Sequence, residues 1–301
     1  MSYKIITGAN DSYILTLLNF INYHVSIGIM LENLIVYDLG LSNENLKRVK
    51  KLLPKTREIK KLNYNEYPEH VNLSKYNGLF CSYAFKPIII YNEAHINNNI
   101  PIIWLDCACK ISINQLNNII KEVNINGFYC PIGNYEKTIE SIELNHPQTL
   151  NLLGITHEEH FNNLQTRLAC ICGVNYNILT GKTILDDWYK YSLDKNIIMP
   201  DGSSRNNHRQ DQTVLSALMF LYEKKHNFSF EKSRFNISCW NKLDKSIVDM
   251  NYNKYILIQK YNNIRVAAIY ETNIERAIEV YVNRKKMSLK EFENYFCVIQ
   301  E

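Results

Sequence analysis

Residues 100–105, Ile-Pro-Ile-Ile-Trp-Leu, form a wholly apolar run, and Asp106 follows this run directly. Such a run has the length of a strand that is buried on both faces, which is typical of parallel sheets. A carboxylate beside an apolar strand is costly to bury unless it meets a cation or several donors. We therefore expect Asp106 to face a ligand crevice at the carboxyl end of this strand; a turn-capping Asp is the alternative interpretation.

Apolar strands alternate with helical stretches through the first half of the chain. The pattern predicts strands at residues 5–8, 33–37 and 59–62, and helices that start at Asp11 or Ser12, run from Ser42 to Leu53, and cover residues 84–96. This alternation predicts βαβ units, and hence an α/β fold with a mostly parallel sheet flanked by helices. Ligands bind at the carboxyl ends of the strands in such sheets, where Asn10, Asp38 and Asp106 fall.

The second half of the chain is less regular. It predicts a strand at residues 167–174, helices at 178–194 and 212–224, short strands at 255–259 and 264–269, and a final helical region. We find no flexible linker and no internal repeat. The sequence therefore predicts a single domain over 1–301, with a smaller elaboration in its C-terminal part.

Composition limits the class of protein. The 301 residues are 46% hydrophobic and carry a formal net charge of only +4, which predicts a full core and argues against nucleic acid as a partner. The N-terminus reads as a strand and not as a signal peptide, and no stretch is long enough to span a membrane. We expect a soluble, cytoplasmic protein. Most of the eight cysteines lie in apolar, strand-like stretches and are expected in the core.

A polar loop over residues 200–212 ends at the start of an apolar helix and carries the second functional signal. His208, Arg209, Asp211 and Gln212 lie at this junction. The N-terminus of a helix favours anions, and a loop with these side chains can hold a phosphate or a sugar hydroxyl. Asp211 is the candidate general base, with His208 beside it. A plain helix cap by Asp211 is the alternative.

Two weaker signals lie closer to the N-terminus. Residues 7–11, Thr-Gly-Ala-Asn-Asp, join the first strand to the first helix, and the small residues there allow close approach by a base or ribose. The segment is neither a dinucleotide fingerprint nor a P-loop. Lys86 opens the helix before the Asp106 strand; it can neutralise a diphosphate or lie on the surface.

Together these motifs resemble glycosyltransferase-like families of the GT-A fold, within the nucleotide-diphospho-sugar transferase superfamily. Their order is Thr-Gly-Ala-Asn-Asp at 7–11, Val-Tyr-Asp-Leu-Gly at 36–40, Phe-Lys-Pro at 85–87, Trp-Leu-Asp at 104–106, Gly-Ser-Ser-Arg at 202–205 and His-Arg-Gln-Asp-Gln at 208–212. The resemblance implies a Rossmann-like GT-A fold and transfer of a sugar from a UDP- or GDP-linked donor to a glycan, protein or other hydroxyl acceptor. It also implies that residues 1–130 are the nucleotide-binding half of the domain and that residues 131–301 are the acceptor-side half with the C-terminal elaboration. It implies Asp211 and His208 as catalytic residues and a donor site formed by Thr7, Gly8, Ala9, Asn10, Asp38, Lys86, Asp106, Arg205, Arg209 and Gln212.

The resemblance also implies a divalent metal, Mn²⁺ or Mg²⁺, with Asp106 as a ligand. Relatives carry an Asp-x-Asp pair at this position, whereas this chain has Asp106, Cys107 and Ala108, so the second carboxylate is missing. Lys86 and Arg209 are the alternative carriers of the diphosphate charge. The sequence leaves metal dependence open, and it does not choose between an inverting and a retaining mechanism.

Other classes of protein remain as alternatives. The missing second Asp is compatible with a catalytically inactive relative that binds a nucleotide-sugar or a glycan. A nucleotidylyltransferase fits less well, because the turn at residues 8–11 is acidic and poor in glycine. Tyrosine-rich segments near the C-terminus suit an acceptor surface or a homodimer contact equally, so the oligomeric state is left open.

Overall fold

A computed structural model provides the structure of the protein. It describes residues 2–29, 31–53, 59–76, 81–132, 144–159, 164–230, 238–239, 253–271, 274–285 and 287–300. The chain divides into two compact units, Met1–Cys239 and Trp240–Glu301. Each unit is described by itself, and the expectation of one domain over 1–301 stays a prediction. None of the helices in the described ranges combines the length and the apolar character needed to cross a bilayer.

The first unit alternates strands and helices. Its strands are β1 (Lys4–Ala9), β2 (Leu34–Asp38), β3 (Lys60–Lys61), β4 (Ile102–Leu105), β5 (Cys109–Lys110), β6 (Phe128–Tyr129), β7 (Ile171–Val174) and β8 (Ser238–Cys239). Its helices are α1 (Ile14–Ser26), α2 (Asn43–Leu52), α3 (Phe85–Ile96), α4 (Ile113–Asn126), α5 (Pro147–Leu152), α6 (Leu179–Ser192), α7 (Lys195–Ile198) and α8 (Gln210–His226). Short 3-10 turns connect several of these elements.

Six of the described strands of the first unit build a central sheet in the order β3-β2-β1-β4-β7-β6, and β5 pairs separately with β8 in an antiparallel two-stranded sheet. β1 pairs in parallel with β2 and with β4, and β2 pairs in parallel with β3. β7 runs antiparallel to both β4 and β6. The predicted α/β class, a mixed and mostly parallel sheet flanked by helices, is confirmed. The reversed direction of β7 is a feature that the sequence does not reveal.

Helices cover both faces of this sheet, which explains why its central strands are apolar throughout. Ile6 and Trp104 face a core shared with α3, α6 and α8, and Trp188 of α6 is fully buried there. On the other face α4 lies against β7, where a side chain at Gly173 would meet Val123. β1, β2 and β4 are thereby held at fixed positions, and so are the residues that follow their carboxyl ends.

Local signals account for the first helices. Ser42 caps α2 as predicted, by accepting a hydrogen bond from the backbone N–H of Asn45. The cap expected at Asp11 or Ser12 is corrected: Asn10 accepts from the N–H of Ser12, and a 3-10 turn over Asp11–Tyr13 precedes α1. An Asx turn of this kind uses a short side chain to satisfy the free amides.

The second unit contains a three-stranded antiparallel sheet and two helices in its described residues. The elements are β9 (Asn253–Gln259), β10 (Ile264–Glu271), α9 (Ile274–Lys285), α10 (Leu289–Tyr295) and β11 (Phe296–Gln300), with strand order β10-β9-β11. Leu257, Ala277, Tyr281 and Phe292 form its small core. The final region predicted as helical is therefore corrected at its end, because residues 296–300 pair with β9 as a strand.

Candidate functional site

A cavity of about 360 Å³ opens at the carboxyl ends of β1 and β4. It brings together most of the site residues predicted from the sequence, namely Gly8, Ala9, Asn10, Lys86, Asp106, Arg205, Arg209, Asp211 and Gln212. Because β7 runs antiparallel, the residues that precede it, Ala169 and Cys170, reach the same edge and line the cavity as well. The cavity therefore lies where the carboxyl ends of β1 and β4 meet the beginnings of β7, α3 and α8.

Lys86 lies at the centre of the polar contacts in this cavity. Its Nζ atom lies 3.1 Å from Oδ1 of Asp106 and 3.0 Å from Oδ2 of Asp211. The same atom donates to the carbonyl oxygen of Ala169 at 3.1 Å. The side chain of Lys86 is only 5% exposed, so the ammonium group depends on these three oxygen atoms for its stabilisation. The alternative of a surface lysine is thus excluded.

The electrostatics of this lysine and its two carboxylates follow from burial. Burial opposes the charge on Lys86, but Asp106 and Asp211 outweigh it and hold the pKa of Lys86 above its ordinary value. Burial also raises the pKa of Asp211 to about 6, with Asp106 adding to the effect and Lys86 opposing it. Asp211 is therefore a carboxylate whose protonation changes close to neutral pH, as is common for groups that move protons.

Asp106 is oriented by its neighbours. Its Oδ1 atom accepts a hydrogen bond from Nε1 of Trp104 at 2.6 Å, and its backbone N–H donates to the carbonyl of Cys170 at 2.9 Å. The Asp106 side chain is 37% exposed, in contrast to the buried Asp211. The expectation that Asp106 faces a crevice at the end of a strand agrees with this geometry.

Two arginines and a tyrosine supply further polar groups to the cavity. Nη2 of Arg205 donates to the hydroxyl of Tyr83 at 2.6 Å. Tyr83 and Gln210 both have positive φ values, 53° and 41°, a left-handed conformation that is unfavourable for such residues. Strain of this kind costs about 1–3 kcal/mol and tends to persist where a site requires it. Both strained residues line the cavity, as do Arg205 and Arg209.

Three predicted site residues do not line the cavity, and Thr7 and Asp38 are two of them. Thr7 is fully buried within β1. Oδ1 of Asp38 accepts from the backbone N–H groups of Gly40 and Leu41 at 2.9 and 2.6 Å, and its Oδ2 atom pairs with Lys61 at 2.9 Å. Asp38 therefore caps the turn after β2, which is the common structural use of Asp at such a position.

His208 is the third residue, and it is fully buried behind the loop that carries the arginines. Its Nε2 atom lies 3.0 Å from the carbonyl of Ile198, and its Nδ1 atom accepts from the backbone N–H of His146 at 3.4 Å. Burial lowers the pKa of His208 to about 4, so the ring is neutral near pH 7. This arrangement corrects the prediction that His208 lies beside the ligand. The ring instead contacts the backbone of Ile198 and His146 and stabilises the loop.

Gly8 lines the cavity, and its lack of a side chain is also required where β1 packs against the end of β2. A Cβ atom added at Gly8 would lie 3.0 Å from the side chain of Leu39 and 3.2 Å from that of Tyr37. The glycine therefore allows β1 to pack closely against the residues at the end of β2. Close approach of a ligand, the reason expected from the sequence, stays a prediction.

Sequence reasoning missed several lining residues, above all Tyr13, Tyr83 and Cys170. Tyr13 ends the 3-10 turn before α1, and Tyr83 lies two residues before α3, so both lie just outside segments named from the sequence. Cys170 could be placed only by knowing that β7 is antiparallel. The prediction that the cysteines serve as core residues is supported at Cys81, Cys107, Cys109, Cys130 and Cys172, which are buried.

The described residues of this site do not fit a divalent metal. Mn²⁺ and Mg²⁺ require several oxygen ligands, and Asp106 is the one carboxylate at the end of β4. Burial raises the pKa of the Cys107 thiol to about 12, and Ala108 has no ligand atom. The other carboxylate in the described lining, Asp211, is directed at Lys86, whose positive charge would repel a cation placed between them. Among the described residues, no group of three His, Cys, Asp or Glu side chains has a metal-binding arrangement.

Comparisons with known proteins give only distant likenesses. No family model matches the sequence, and no curated protein matches it. The solved structures that align with it include three glycosyltransferases, all at TM-scores below 0.5. Apo WbbM, a bifunctional glycosyltransferase, has 10% identity, 73% of this chain and 38% of that chain covered, and a TM-score of 0.47. The galactosyltransferase LgtC with donor and acceptor sugar analogues has 15% identity, 71% and 70% covered, and a TM-score of 0.39. The mannosyltransferase Ktr4p from S. cerevisiae has 14% identity, 72% and 65% covered, and a TM-score of 0.41. The chain thus spans little more than a third of WbbM. The strand order and the reversed β7 define the fold class independently of these likenesses.

Proposed function

We propose that the protein is a glycosyltransferase that moves a sugar from a UDP- or GDP-linked donor to a hydroxyl group of a glycan, protein or other acceptor. The observation that carries the proposal is the buried ion cluster of Lys86 with Asp106 and Asp211 in a cavity at the strand ends. The carboxylate oxygens of such a cluster can accept hydrogen bonds from the hydroxyl groups of a sugar. Arg205 and Arg209 line the same cavity and can hold an anionic leaving group.

The donor occupies the cavity with its nucleotide toward the end of β1 in this proposal. Ala9 and Asn10 provide a small side chain and a polar one at that edge, and Tyr13 adds an aromatic ring. The Tyr13 hydroxyl stays protonated at neutral pH, because burial raises its pKa. A base or ribose can therefore stack and hydrogen-bond there without meeting a negative charge.

The sugar ring lies beside Asp106 and Lys86, and Asp211 receives the proton of the acceptor hydroxyl. With a pKa of about 6, Asp211 is mostly ionised at neutral pH, and its ion pair with Lys86 keeps it in place. This assignment corresponds to an inverting mechanism, in which the acceptor attacks from the face opposite the leaving group. The anomeric configuration of the product, measured by NMR, tests it directly.

The experiment for the proposed function is a turnover assay. The protein is incubated with UDP- and GDP-sugars and a mixture of glycoside and peptide acceptors, and release of the nucleoside diphosphate is measured together with the mass of the product. Transfer from one nucleotide class is expected, with a large loss in D106N and none in the control D201N, whose carboxylate is exposed. Binding of a donor without any transfer would instead favour the inactive, binding-only relative.

A further inference from the structure

We infer that Arg205 and Arg209, and not a divalent cation, carry the charge of the donor's diphosphate. The inference rests on the proposed function and concerns the same cavity. It starts from the position where a metal would be expected, the end of β4, where the structure offers one oriented carboxylate and the next two residues, Cys107 and Ala108, supply no second carboxylate.

The carboxylate of Asp106, at the end of β4, is already paired with a cation, the ammonium group of Lys86. Oδ1 of Asp106 accepts both the Trp104 indole at 2.6 Å and the Lys86 ammonium at 3.1 Å. Lys86 is itself held by Asp211 at 3.0 Å and by the carbonyl of Ala169 at 3.1 Å. A buried ammonium with three oxygen neighbours is not available to turn toward a diphosphate. It also repels any divalent ion that approaches the same carboxylates.

Arg205 and Arg209, in the loop before α8, supply the positive charge that a metal ion would otherwise provide to the diphosphate. Both line the cavity, and together they match the charge of one divalent cation. Arg205 donates to the Tyr83 hydroxyl at 2.6 Å, and burial raises the pKa of this phenol to about 12, so Tyr83 orients the guanidinium as a neutral group. Within the described part of the chain, Arg209 has no ion pair. Planar guanidinium groups are well suited to two-pronged contacts with phosphate oxygens.

The loop that carries these arginines is braced internally. Oδ1 of Asn207 accepts from the backbone N–H of Ser204 at 2.6 Å, and its Nδ2 atom donates to the carbonyl of Gly202 at 3.1 Å. The buried ring of His208, between the two arginines in sequence, lies against the carbonyl of Ile198. The guanidinium groups therefore start from a fixed backbone, which limits the entropy lost when a phosphate binds. His208 is a positioning residue in this account.

The test measures binding of UDP, GDP and their sugars by calorimetry, in EDTA and again with Mn²⁺ or Mg²⁺ in excess. We expect the Kd to change by no more than about twofold between these conditions. R205Q and R209Q are each expected to raise the Kd about tenfold or more, as is usual for a lost charge-assisted contact. R48Q is the matched control, since Arg48 lies on α2 outside the cavity, and no change is expected there.

The outcomes separate this inference from the proposed function. If a nucleotide binds only when Mn²⁺ or Mg²⁺ is present, the arginine account is overturned while the transferase proposal stands. If binding persists in EDTA but R205Q and R209Q leave the Kd unchanged, the arginine account is again overturned. If no nucleotide or nucleotide-sugar binds under any condition, both proposals fall. R209K, which keeps the charge, is expected to recover part of the affinity that R209Q loses.

Discussion

The Nζ atom of Lys86, on α3, lies 3.0 Å from Oδ2 of Asp211, on α8. This contact joins two helices that are far apart in the chain, at the edge of the sheet where β1 and β4 end. It also ties Asp211 to Asp106, which pairs with the same ammonium at 3.1 Å. The contact is therefore expected to affect both the stability of the fold and the protonation of Asp211. Separate experiments measure these two effects.

Replacing Lys86 by Met is expected to destabilise the fold by about 3–5 kcal/mol, because it leaves a buried carboxylate without its cation. Urea-induced unfolding near pH 7 measures the change. K195M is the control: Lys195 pairs with Asp201 on the surface, and loss of such a pair costs about 0–1 kcal/mol. Equal effects of the two substitutions would contradict the central position of Lys86.

Asp211 is expected to give the proposed activity a pH dependence. Its pKa is about 6 in the folded protein, so the carboxylate is protonated progressively as the pH falls below that value. We expect kcat/KM to fall on the acid side with an apparent pKa near 6. D211N is expected to reduce kcat by about 10²–10⁴ and to remove this limb of the profile. Full activity in D211N would rule out Asp211 as the base.

Two buried histidines set a pH dependence of stability. Burial lowers the pKa of both His24 and His208 to about 4, from an ordinary value of 6.5. The unfolded chain binds more protons between these values, so their contribution to stability is complete above about pH 6.5 and is lost as the pH falls toward 4. Unfolding free energies measured over this range should fall less steeply in H208Q than in the wild type.

The control for this pH effect is H226Q, because His226 is exposed at the end of α8. Its pH dependence should match that of the wild type. H208Q should also raise the KM for the donor more than it lowers kcat, since His208 acts through the loop and not on the reacting atoms. A wild-type slope in H208Q would mean that the ring is charged in the folded protein.

Gly181 is expected to be intolerant of any side chain. A Cβ atom there would lie 2.3 Å from the carbonyl oxygen of Gly127 and 2.5 Å from that of Asn175. Because backbone atoms cannot move aside cheaply, G181A should destabilise the protein by about 1–3 kcal/mol even though alanine favours helices. K182A, at an exposed position on the same helix, is the control and should be nearly neutral in urea unfolding.

The sequence predicts the fold where local pattern is sufficient. β1, β2, β4 and α3 appear close to their predicted bounds, because apolar runs and helical spacing are local features. The sequence analysis did not predict α4, although a capping box at Ser112 and Gln115 and a left-handed Gly127 mark its two ends. The direction of β7 depends on pairing across the sheet and has no local signal.

The sequence predicts a large part of the cavity lining but not the contacts within it. Asp106, Asp211 and the arginines were recognised because polar residues follow apolar strands or precede an apolar helix. Asp38 satisfies the same criterion and yet caps its own turn, since a carboxylate suits either use. Lys86 was expected to meet a diphosphate or solvent. Its partners lie on distant segments, so only the folded structure reveals the ion cluster.

The most direct test of the central claim is hydrogen exchange with and without the donor nucleotide. The amides expected to gain protection lie at residues 8–10, 81–86, 104–109 and 205–212, which surround the Lys86 cluster. A second hollow, lined by Pro68, His70, Lys190, Tyr191, Leu193, Asp194, Lys195 and Ile197, serves as the internal comparison. Protection confined to the first set is the predicted result. Protection at the second hollow, or none at all with every nucleotide and nucleotide-sugar, would contradict the account.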